Sequence, residues 1–439
     1  MTSRPLRIAL ISEHASPLAT IGSIDAGGQN IYVLNVAKCL AREGHHVDVL
    51  TRRDDPSLPA IVDVRPGMRV VHVPAGPPSF VPKEQLLRHM PAFIEAAREL
   101  LQHSVEYDVI HANFFMSGLV GLRLKEIFGV PLAMTFHALG LVRQEHQGPD
   151  DGFPPVRADI ERCIVRHADR LIAECPQDET DLIRLYGATP ERISTVPCGV
   201  DLSEFGPGSK AAARRALGLA DDEFVILQLG RMVPRKGVDN VIRALALLDP
   251  ALRARLLVVG GESHDPDPLR TPEIGRLRAL AEACGVADRV TFTGQRRRDE
   301  LPTCYRAADA FVTTPWYEPF GITPLEAMAC GTPVIGSAVG GIKHSVVDGI
   351  TGFLVPPRNP SALADRLRQL QAHPWLGQSM GRSGIRRVRA LFTWERVAAD
   401  LADIYASISR PQAPAVEKAA PRLRVVSKRT QSPRYGAHA

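Results

Sequence analysis

Short runs of Val, Ile and Leu alternate along nearly the whole chain with longer stretches whose apolar positions recur every three or four residues. The short runs are typical of buried strands in parallel sheets, and the longer stretches are typical of the helices that connect them. The pattern predicts two sets of strands. The first set lies at 7–14, 47–52, 69–73, 109–111, 132–136, 170–173 and 193–196, and the second at 224–229, 255–259, 290–293, 310–313, 333–337 and 352–355.

A Gly- and Pro-rich segment at 205–209 separates the two sets. We therefore predict an α/β protein with two doubly wound domains, over residues 1–205 and 206–390, that face each other across a cleft. A helix within 391–408 is expected to cross back, and the basic, Pro- and Ser-rich segment 409–439 is predicted to be a disordered tail. Ligands of open parallel sheets bind beyond the carboxyl ends of the strands, so the cleft is the expected active site.

Composition narrows the class of protein. The 439 residues are 45% hydrophobic and 23% charged, as in an ordinary two-domain protein. The seven cysteines are scattered and never in CxxC spacing, which argues against a disulfide framework or a zinc site. The start reads as a strand and not as a signal peptide, and no apolar run approaches the roughly 18 residues of a membrane span, so we predict a cytoplasmic protein.

The formal net charge of +5 comes partly from the tail. A solubilising tail is the favoured interpretation, and peripheral contact with the inner membrane surface is the alternative. We predict no nucleic-acid partner. The oligomeric state stays open, with a dimer as one option.

The stretch 315–341 carries two acids within many turn residues. Glu326 is expected in the first turn of a helix that begins at Pro324, and Glu318 in the loop before that helix. The backbone N–H groups of 320–323 lack helical acceptors, so they can bind an anionic or hydroxylated ligand. The alternative is that Glu318 is a solvated loop acid and Glu326 only stabilises the helix dipole.

The second domain opens with a strand, a glycine, and a loop that contains Arg231 and Lys236. Two cations at one helix N-terminus can bind a pyrophosphate, because each charge-assisted hydrogen bond contributes roughly 1.5 to 3 kcal/mol. The alternative is an exposed basic loop. Asp265 and Asp267 have the spacing of a metal-binding pair, but they lie in a Pro-rich run, and no metal site is predicted.

The first domain offers weaker signals. Gly27 and Gly28 precede a helix predicted over 31–43, but the segment lacks the GxGxxG spacing of a dinucleotide-binding protein. His111 and His137 each come where a predicted strand ends, which is the ligand side of such a sheet. Ligand contact is favoured for His137, whereas His111 is expected to bond within its loop. Arg157 lies on a charged helix, where a solvated face is the simplest interpretation.

Together the segments GGQN, the His137-Ala138 pair, GRMVPRKG, EPFGITPLEAMACGTPVIGSAVGG and DGITGFLVPP resemble the retaining glycosyltransferases of family 4 over about residues 5–408. The opening segment is most similar to the branch of sucrose synthase, sucrose-phosphate synthase and D-inositol-3-phosphate N-acetylglucosaminyltransferase. The resemblance implies the GT-B fold of two Rossmann-like domains. It also implies a nucleotide-diphospho-sugar donor held mainly by the second domain, an acceptor held mainly by the first, and no metal or other cofactor.

The resemblance also implies residue roles. Arg231 and Lys236 match the pair that neutralises the donor diphosphate, Glu318 and Glu326 match the acids that bind the donor sugar and the ribose, and His137 matches the histidine near the reacting end. These assignments make His137, Arg231, Lys236 and Glu318 the catalytic set. The implied donor site comprises Gly28, Gly230, Arg231, Lys236, Gly294, Glu318, Phe320, Gly321, Ile322, Thr323 and Glu326.

The implied acceptor site comprises Gly28, Gln29, Asn30, Lys83, Phe114 and Arg157. Lys83 and Arg157 match phosphate-binding positions, but Phe114 and Ala138 replace two residues that carry hydroxyls in such relatives. A phosphorylated acceptor and a different sugar, glycan or lipid-linked acceptor therefore both stay open. UDP-glucose or UDP-N-acetylglucosamine is the favoured donor. The alternatives are a GDP-mannose-dependent mannosyltransferase, a sugar-nucleotide epimerase and a non-catalytic nucleotide-sugar-binding protein.

Overall fold

The computed structural model describes residues 4–19, 27–102 and 106–409. Within these residues the first sheet has eight strands in the order β3-β4-β2-β1-β5-β6-β7-β8. All neighbours are parallel except β3 and β4. The strands are β1 (Arg7–Ile11), β2 (His46–Arg52), β3 (Ile61–Arg65), β4 (Met68–Val73), β5 (Val109–Asn113), β6 (Leu132–Thr135), β7 (Arg170–Ala173) and β8 (Ile193–Thr195).

Six helices connect these strands: α1 (Gly28–Arg42), α2 (Met90–Gln102), α3 (Phe115–Phe128), α4 (Gly140–Gln147), α5 (Arg157–His167) and α6 (Pro176–Tyr186). The central strands of the sheet are buried because helices cover both faces, whereas the edge strands β3 and β8 are partly exposed. Apolar side chains of β1 face both ways, since Ile8 and Leu10 belong to one hydrophobic cluster and Ala9 and Ile11 to another. This explains why the parallel strands appear in the sequence as continuous runs of apolar residues.

The second sheet has six strands, all parallel, in the order β11-β10-β9-β12-β13-β14. They are β9 (Phe224–Leu229), β10 (Ala254–Val259), β11 (Val290–Gly294), β12 (Ala310–Thr313), β13 (Val334–Ser337) and β14 (Gly352–Val355). The helices are α7 (Lys210–Ala216), α8 (Val238–Ala246), α9 (Pro272–Ala283), α10 (Leu301–Ala307), α11 (Thr323–Cys330), α12 (Ile342–Ser345), α13 (Pro360–Ala372), α14 (Pro374–Leu391) and α15 (Trp394–Ile408).

The predicted α/β class with two doubly wound domains is confirmed, and each predicted strand is present within a few residues. One strand, β3, was not predicted, because it is an antiparallel edge strand with mostly half-exposed residues and has no apolar run. Strand β1 ends at Ile11 and not at residue 14, since the Ser12 hydroxyl bonds to the carbonyl of Ala15 and the chain turns there.

The last helix crosses back as predicted. Helix α15 packs against α1 of the first domain, and the Tyr405 hydroxyl lies 2.6 Å from Nδ1 of His111 on β5. Thr393 caps the start of α15 by accepting a hydrogen bond from the Arg396 amide. Trp394 is buried beside the ring of Tyr32. The C-terminal helix therefore completes the core of the first domain.

The exact domain limits stay a prediction. Residues up to Ser409 belong to one compact unit, and the predicted tail lies outside the described residues from 410 onwards. The start of the GGQN loop, residues 20–26, lies outside them as well. None of the helices described here is both long and apolar enough to cross a membrane.

Candidate active site

A cavity of about 570 Å³ lies at the carboxyl ends of the strands and is lined by residues of both domains. Gly28, at the start of α1, faces α11 of the other domain. A Cβ atom added at Gly28 would lie 3.7 Å from Cδ1 of Ile322, an ordinary van der Waals contact. The starts of α1 and α11 thus meet across the cleft, where their unpaired N–H groups favour negative charge.

A cluster of three cations surrounds Glu318 in the second domain. Lys236 Nζ contacts Glu318 Oε2, and Nη1 of Arg235 lies 3.7 Å from the same oxygen. Burial lowers the pKa of Lys236 to about 8, although Glu318 opposes this shift. Burial also raises the pKa of Glu318, but Lys236, Arg235 and Arg231 outweigh it and lower that pKa overall. Three cations against one carboxylate leave two net positive charges.

Backbone contacts fix this cluster. The loop after β9 forms a short 3-10 turn, Pro234–Lys236, that ends at Gly237 with φ 68°. A Cβ atom there would lie 2.1 Å from the carbonyl oxygen of Thr314, so only glycine permits this approach. The Trp316 amide donates to the carbonyl of Arg235 at 2.9 Å. The basic turn is therefore held against the loop that carries Glu318.

Glu326 is positioned by two donors that were not predicted. It is 2% exposed, its Oε1 accepts from Nη1 of Arg298 at 3.1 Å, and its Oε2 accepts from the Tyr305 hydroxyl at 2.8 Å. Burial keeps the pKa of Tyr305 well above its usual value, so this hydroxyl stays a donor. The predicted helix start is one residue late, because Pro324 is the second residue of α11.

The loop before α11 lines the cavity through Phe320, Gly321, Ile322 and Thr323, as does Gly230 after β9. Gly294 is not among the lining residues, whereas its neighbour Gln295 is. Gly294 has a φ of 73°, and a Cβ atom there would lie 2.1 Å from the carbonyl oxygen of His264. Close backbone packing therefore explains this glycine without a donor contact.

His137 lines the cavity, but both of its ring nitrogens have protein partners. Nδ1 lies 2.9 Å from Glu174 Oε1, and Nε2 lies 3.0 Å from Asn113 Oδ1. Its φ of 58° is rare for a residue with a side chain and orients the backbone where β6 has ended. Glu174 follows β7 directly and was not predicted. His111 is inside β5, fully buried, and bonds to Tyr405 and to Thr135.

Gln29 and Asn30 line the first-domain side of the cavity, and their side chains also hold its loops together. The Gln29 amide donates to the Ser12 hydroxyl at 3.1 Å and to the carbonyl of Asn113 at 3.2 Å. Asn30 accepts from the Gly27 amide and donates to the carbonyl of Ser16, both at 2.9 Å. Asn30 therefore shapes the start of α1.

Arg157 lies under the acceptor side and not on a solvated face, so that interpretation was wrong. It is 1% exposed, and its Nε donates to Glu161 Oε1 at 2.8 Å. Its guanidinium carbon lies 5.0 Å from the ring centre of Phe114 and 4.6 Å from that of Phe153. The rings and Lys83 line the cavity, whereas Arg157 is absent from the lining. Within the described residues Nη1 of Arg157 has no hydrogen-bond partner.

Sequence reasoning missed several lining residues: His14, Arg143, Phe153, Glu174, Arg235 and Arg298. Two of them carried a signal, because His14 and Glu174 are polar residues just after apolar strands. Arg143 lies within α4, and Phe153, Arg235 and Arg298 lie in loops or short turns; none of these positions shows a recognisable spacing in the sequence. No group of three or more potential metal-ligating side chains is found in the part of the chain that the structure describes.

Residues 26–204 match the family model described as Glycosyltransferase Family 4, and residues 209–387 match the model described as Glycosyl transferases group 1. The chain belongs to glycosyltransferase family 4. A D-inositol 3-phosphate glycosyltransferase of Actinosynnema mirum is 40% identical over 407 residues, which cover 91% of this chain and 96% of that relative. A relative of the same name in Geodermatophilus obscurus is 40% identical over 424 residues, which cover 95% of this chain and 93% of that relative.

Solved structures agree with this membership. The sucrose-phosphate synthase of Thermosynechococcus elongatus is 38% identical, with a TM-score of 0.84 over 92% of this glycosyltransferase and 98% of that chain. The Anabaena protein HepE is 22% identical and shares the fold, with a TM-score of 0.72 over 92% of this chain and 100% of that chain. The GT-B fold expected from the resemblance is therefore confirmed, and the protein is a transferase.

Proposed function

We propose that this glycosyltransferase moves a hexosyl group, with retention of configuration, from a UDP-sugar to a hydroxyl of a phosphorylated sugar or cyclitol. UDP-glucose and UDP-N-acetylglucosamine are the first candidates for the donor. The observation that carries the proposal is the cluster of Arg231, Arg235 and Lys236 around Glu318, in which Arg235, Lys236 and Glu318 are half-buried in the wall of the cavity and Arg231 is exposed at it. The reaction needs no metal in this proposal, because fixed cations take the place of one.

The charge of the cluster suits a departing nucleoside diphosphate. This group gains negative charge as its bond to the sugar breaks, and stabilisation of that charge lowers the barrier. The two net positive charges of the cluster are present before the donor arrives, and contact with Glu318 holds Lys236 in place. The unpaired N–H groups at the start of α11 add a further favourable field.

The two acids bind the neutral parts of the donor. Glu318 accepts hydrogen bonds from sugar hydroxyls, and Glu326, held by Arg298 and Tyr305, accepts them from the ribose. The acceptor hydroxyl then attacks the anomeric carbon from the side of the leaving group. The new C–O bond forms as the bond to the phosphate oxygen breaks, and the proton passes to a phosphate oxygen. His137 is not required as a base, since Glu174 and Asn113 occupy both of its nitrogens.

A phosphorylated acceptor is favoured by the cations of the first domain. Lys83 and Arg143 line the cavity, and the guanidinium of Arg157 lies directly beneath the ring of Phe114. The relatives described above are named for D-inositol 3-phosphate and for sucrose phosphate, which are a phosphorylated cyclitol and a phosphorylated sugar. The two lost hydroxyls, at Phe114 and Ala138, are the reason to test both acceptor classes.

The test is a matrix of donors and acceptors with products read by mass spectrometry. UDP-, GDP- and ADP-sugars are combined with inositol phosphate, fructose 6-phosphate, the two dephosphorylated compounds and a lipid-linked sugar. We expect turnover with a UDP-sugar and a phosphorylated acceptor, an α-configured product by NMR, and an unchanged rate in EDTA. Turnover only with another nucleotide, only with unphosphorylated acceptors, or without any acceptor would contradict the proposal.

A further inference from the structure

We infer that Tyr317 is a positioning residue through which helix α4 of the first domain orients Arg235 in the donor site of the second. The last two residues of α4 hold the ring and the hydroxyl of Tyr317, and the ring supports the guanidinium of Arg235. This inference rests on the proposed function, because Arg235 belongs to the cation cluster that is assigned to the diphosphate. It involves no proton transfer and no covalent step.

The first domain reaches Tyr317 through the end of α4. The ring of His146 is stacked on that of Tyr317, with the ring centres 5.0 Å apart and the two planes 15° from parallel. The side-chain amide of Gln147 donates a hydrogen bond to the Tyr317 hydroxyl. These contacts leave Tyr317 only 6% exposed. Two adjacent residues of one domain therefore hold both the face and the hydroxyl of a ring that belongs to the other domain.

The cation cluster depends on the same ring. The guanidinium carbon of Arg235 lies 5.2 Å from the centre of the Tyr317 ring, a distance at which an aromatic ring attracts a cation. Nη1 of Arg235 is buried and has no hydrogen-bond partner among the described residues. It lies 3.7 Å from Oε2 of Glu318, which is beyond the length of a hydrogen bond. Contact with Tyr317 therefore orients Arg235, whereas Lys236 is held directly by Glu318.

Helix α4 takes part in both sides of the cavity. Arg143 lies about one turn before His146 and Gln147, and residues three and four apart lie on the same face of a helix. Arg143 lines the cavity, and Asp151 accepts a hydrogen bond from its Nε. The helix that contributes a cation to the acceptor side therefore also supports a cation on the donor side. In this chain the donor site is complete only when α4 is in contact with it.

A second contact between the domains supplies a matched control. Nζ of Lys343 lies 3.0 Å from Oε1 of Gln177, which, like Gln147, is a glutamine of the first domain that reaches the second. Neither Lys343 nor Gln177 is among the described residues that line the cavity of the active site. Gln177→Ala therefore removes a contact between the domains and leaves Tyr317 and Arg235 in place.

The test variants, made in the full-length protein, each remove one link. Gln147→Ala removes the donor to the Tyr317 hydroxyl, and Tyr317→Phe removes the hydroxyl itself. His146→Ala removes the stacked ring, whereas His146→Phe keeps a ring in its place. Arg235→Gln removes the guanidinium on which Tyr317 acts.

The readout is kcat with the UDP-sugar that supports turnover, divided by the fraction of sites that bind UDP in a calorimetric titration. This division removes the contribution of unfolded protein. We expect Gln147→Ala, Tyr317→Phe and His146→Ala each to lower kcat about threefold to tenfold, the effect of one lost hydrogen bond or ring contact. The KM for the donor should stay within about twofold, because the cluster acts on charge that develops in the transition state.

Three comparisons separate positioning from general stability. The double variant Gln147→Ala with Tyr317→Phe should lose no more than either single variant, since both remove the same hydrogen bond. His146→Phe and the control Gln177→Ala should keep the wild-type kcat. In the Arg235→Gln background, Gln147→Ala and His146→Ala should cause no further loss, because the group that they orient is gone.

Three results would overturn the inference: an unchanged kcat in Gln147→Ala and His146→Ala, an equal loss in Gln177→Ala, or full losses in the Arg235→Gln background. If Tyr317→Phe does not fold, the two variants of α4 and the Arg235→Gln background decide. Absence of UDP-sugar turnover by the wild type would instead overturn the proposed function, and the inference with it.

Discussion

Replacement of Lys236 by methionine is the most direct test of the cation cluster. The change removes one of three positive charges and keeps the length of the side chain. In the native site Lys236 contacts Glu318, and Arg235 is the next cation, 3.7 Å from the same oxygen. The variant therefore lowers the net charge of the cluster from two to one and leaves the half-buried carboxylate of Glu318 with a weaker partner.

Two separate magnitudes follow. A charge-assisted contact contributes roughly 1.5 to 3 kcal/mol, and loss of one such group at a developing charge lowers kcat by about two to three decades. The exposed fraction of Glu318 is small, so loss of its partner should also reduce the free energy of unfolding by about 1 to 3 kcal/mol. The double variant Lys236→Met with Glu318→Gln should restore this stability but not the activity.

The assay combines the rate of UDP release with the melting temperature of each variant. Lys210→Met is the matched control, since Lys210 pairs with Asp309 and is 44% exposed in the same domain. We expect the control to keep its rate. A value of kcat/KM within threefold of the wild type for Lys236→Met would refute the assignment of the cluster to the diphosphate.

Three further outcomes are expected. Because the pKa of Lys236 is about 8, its positive charge is present below that pH and lost above it. The kcat/KM for the donor should therefore fall as the pH rises through about 8. The variant Lys236→Arg, which stays charged, should not show this fall. Arg298→Ala should raise the KM for the donor about tenfold, since Glu326 loses the donor that orients it, and calorimetric titration with UDP checks this. Tyr405→Phe should lower the free energy of unfolding by about 1 to 3 kcal/mol, measured by urea unfolding, because His111 loses a buried partner; an unchanged midpoint would contradict it.

The sequence predicted most accurately those elements whose burial requires an apolar composition. Parallel strands covered on both faces are apolar throughout, so the buried strands of the second sheet could be found in the sequence. Strand β3 could not, because an exposed edge strand imposes no such composition. The loops of the predicted donor site could be recognised in the sequence for a related reason. Gly237 and Gly321 adopt a positive φ, which few other residues permit, and each lies close to a charged residue of the site.

Side-chain contacts between residues that are far apart in the chain could not be predicted from the sequence. Arg157 sits on a helix rich in charges, and nothing in that spacing shows that three aromatic rings and Glu161 enclose it. Likewise Tyr305 on α10 and Arg298 in the short turn before α10 meet Glu326 only because this segment packs against α11. Such contacts depend on tertiary geometry, which local composition does not encode.

The hydrogen bond between His111 and Tyr405 joins residues that are 294 positions apart in the chain. During synthesis at roughly 5 to 20 residues per second, the roughly 200 residues between the predicted end of the first domain at 205 and Tyr405 take about 10 to 40 seconds, and the first domain waits that long for the helix that completes its core. Until then the outer face of α1 and the imidazole of His111 lack their final neighbours. Ribosome-bound chains that stop before residue 394 should therefore be recognised by chaperones and proteases, although they contain both sheets.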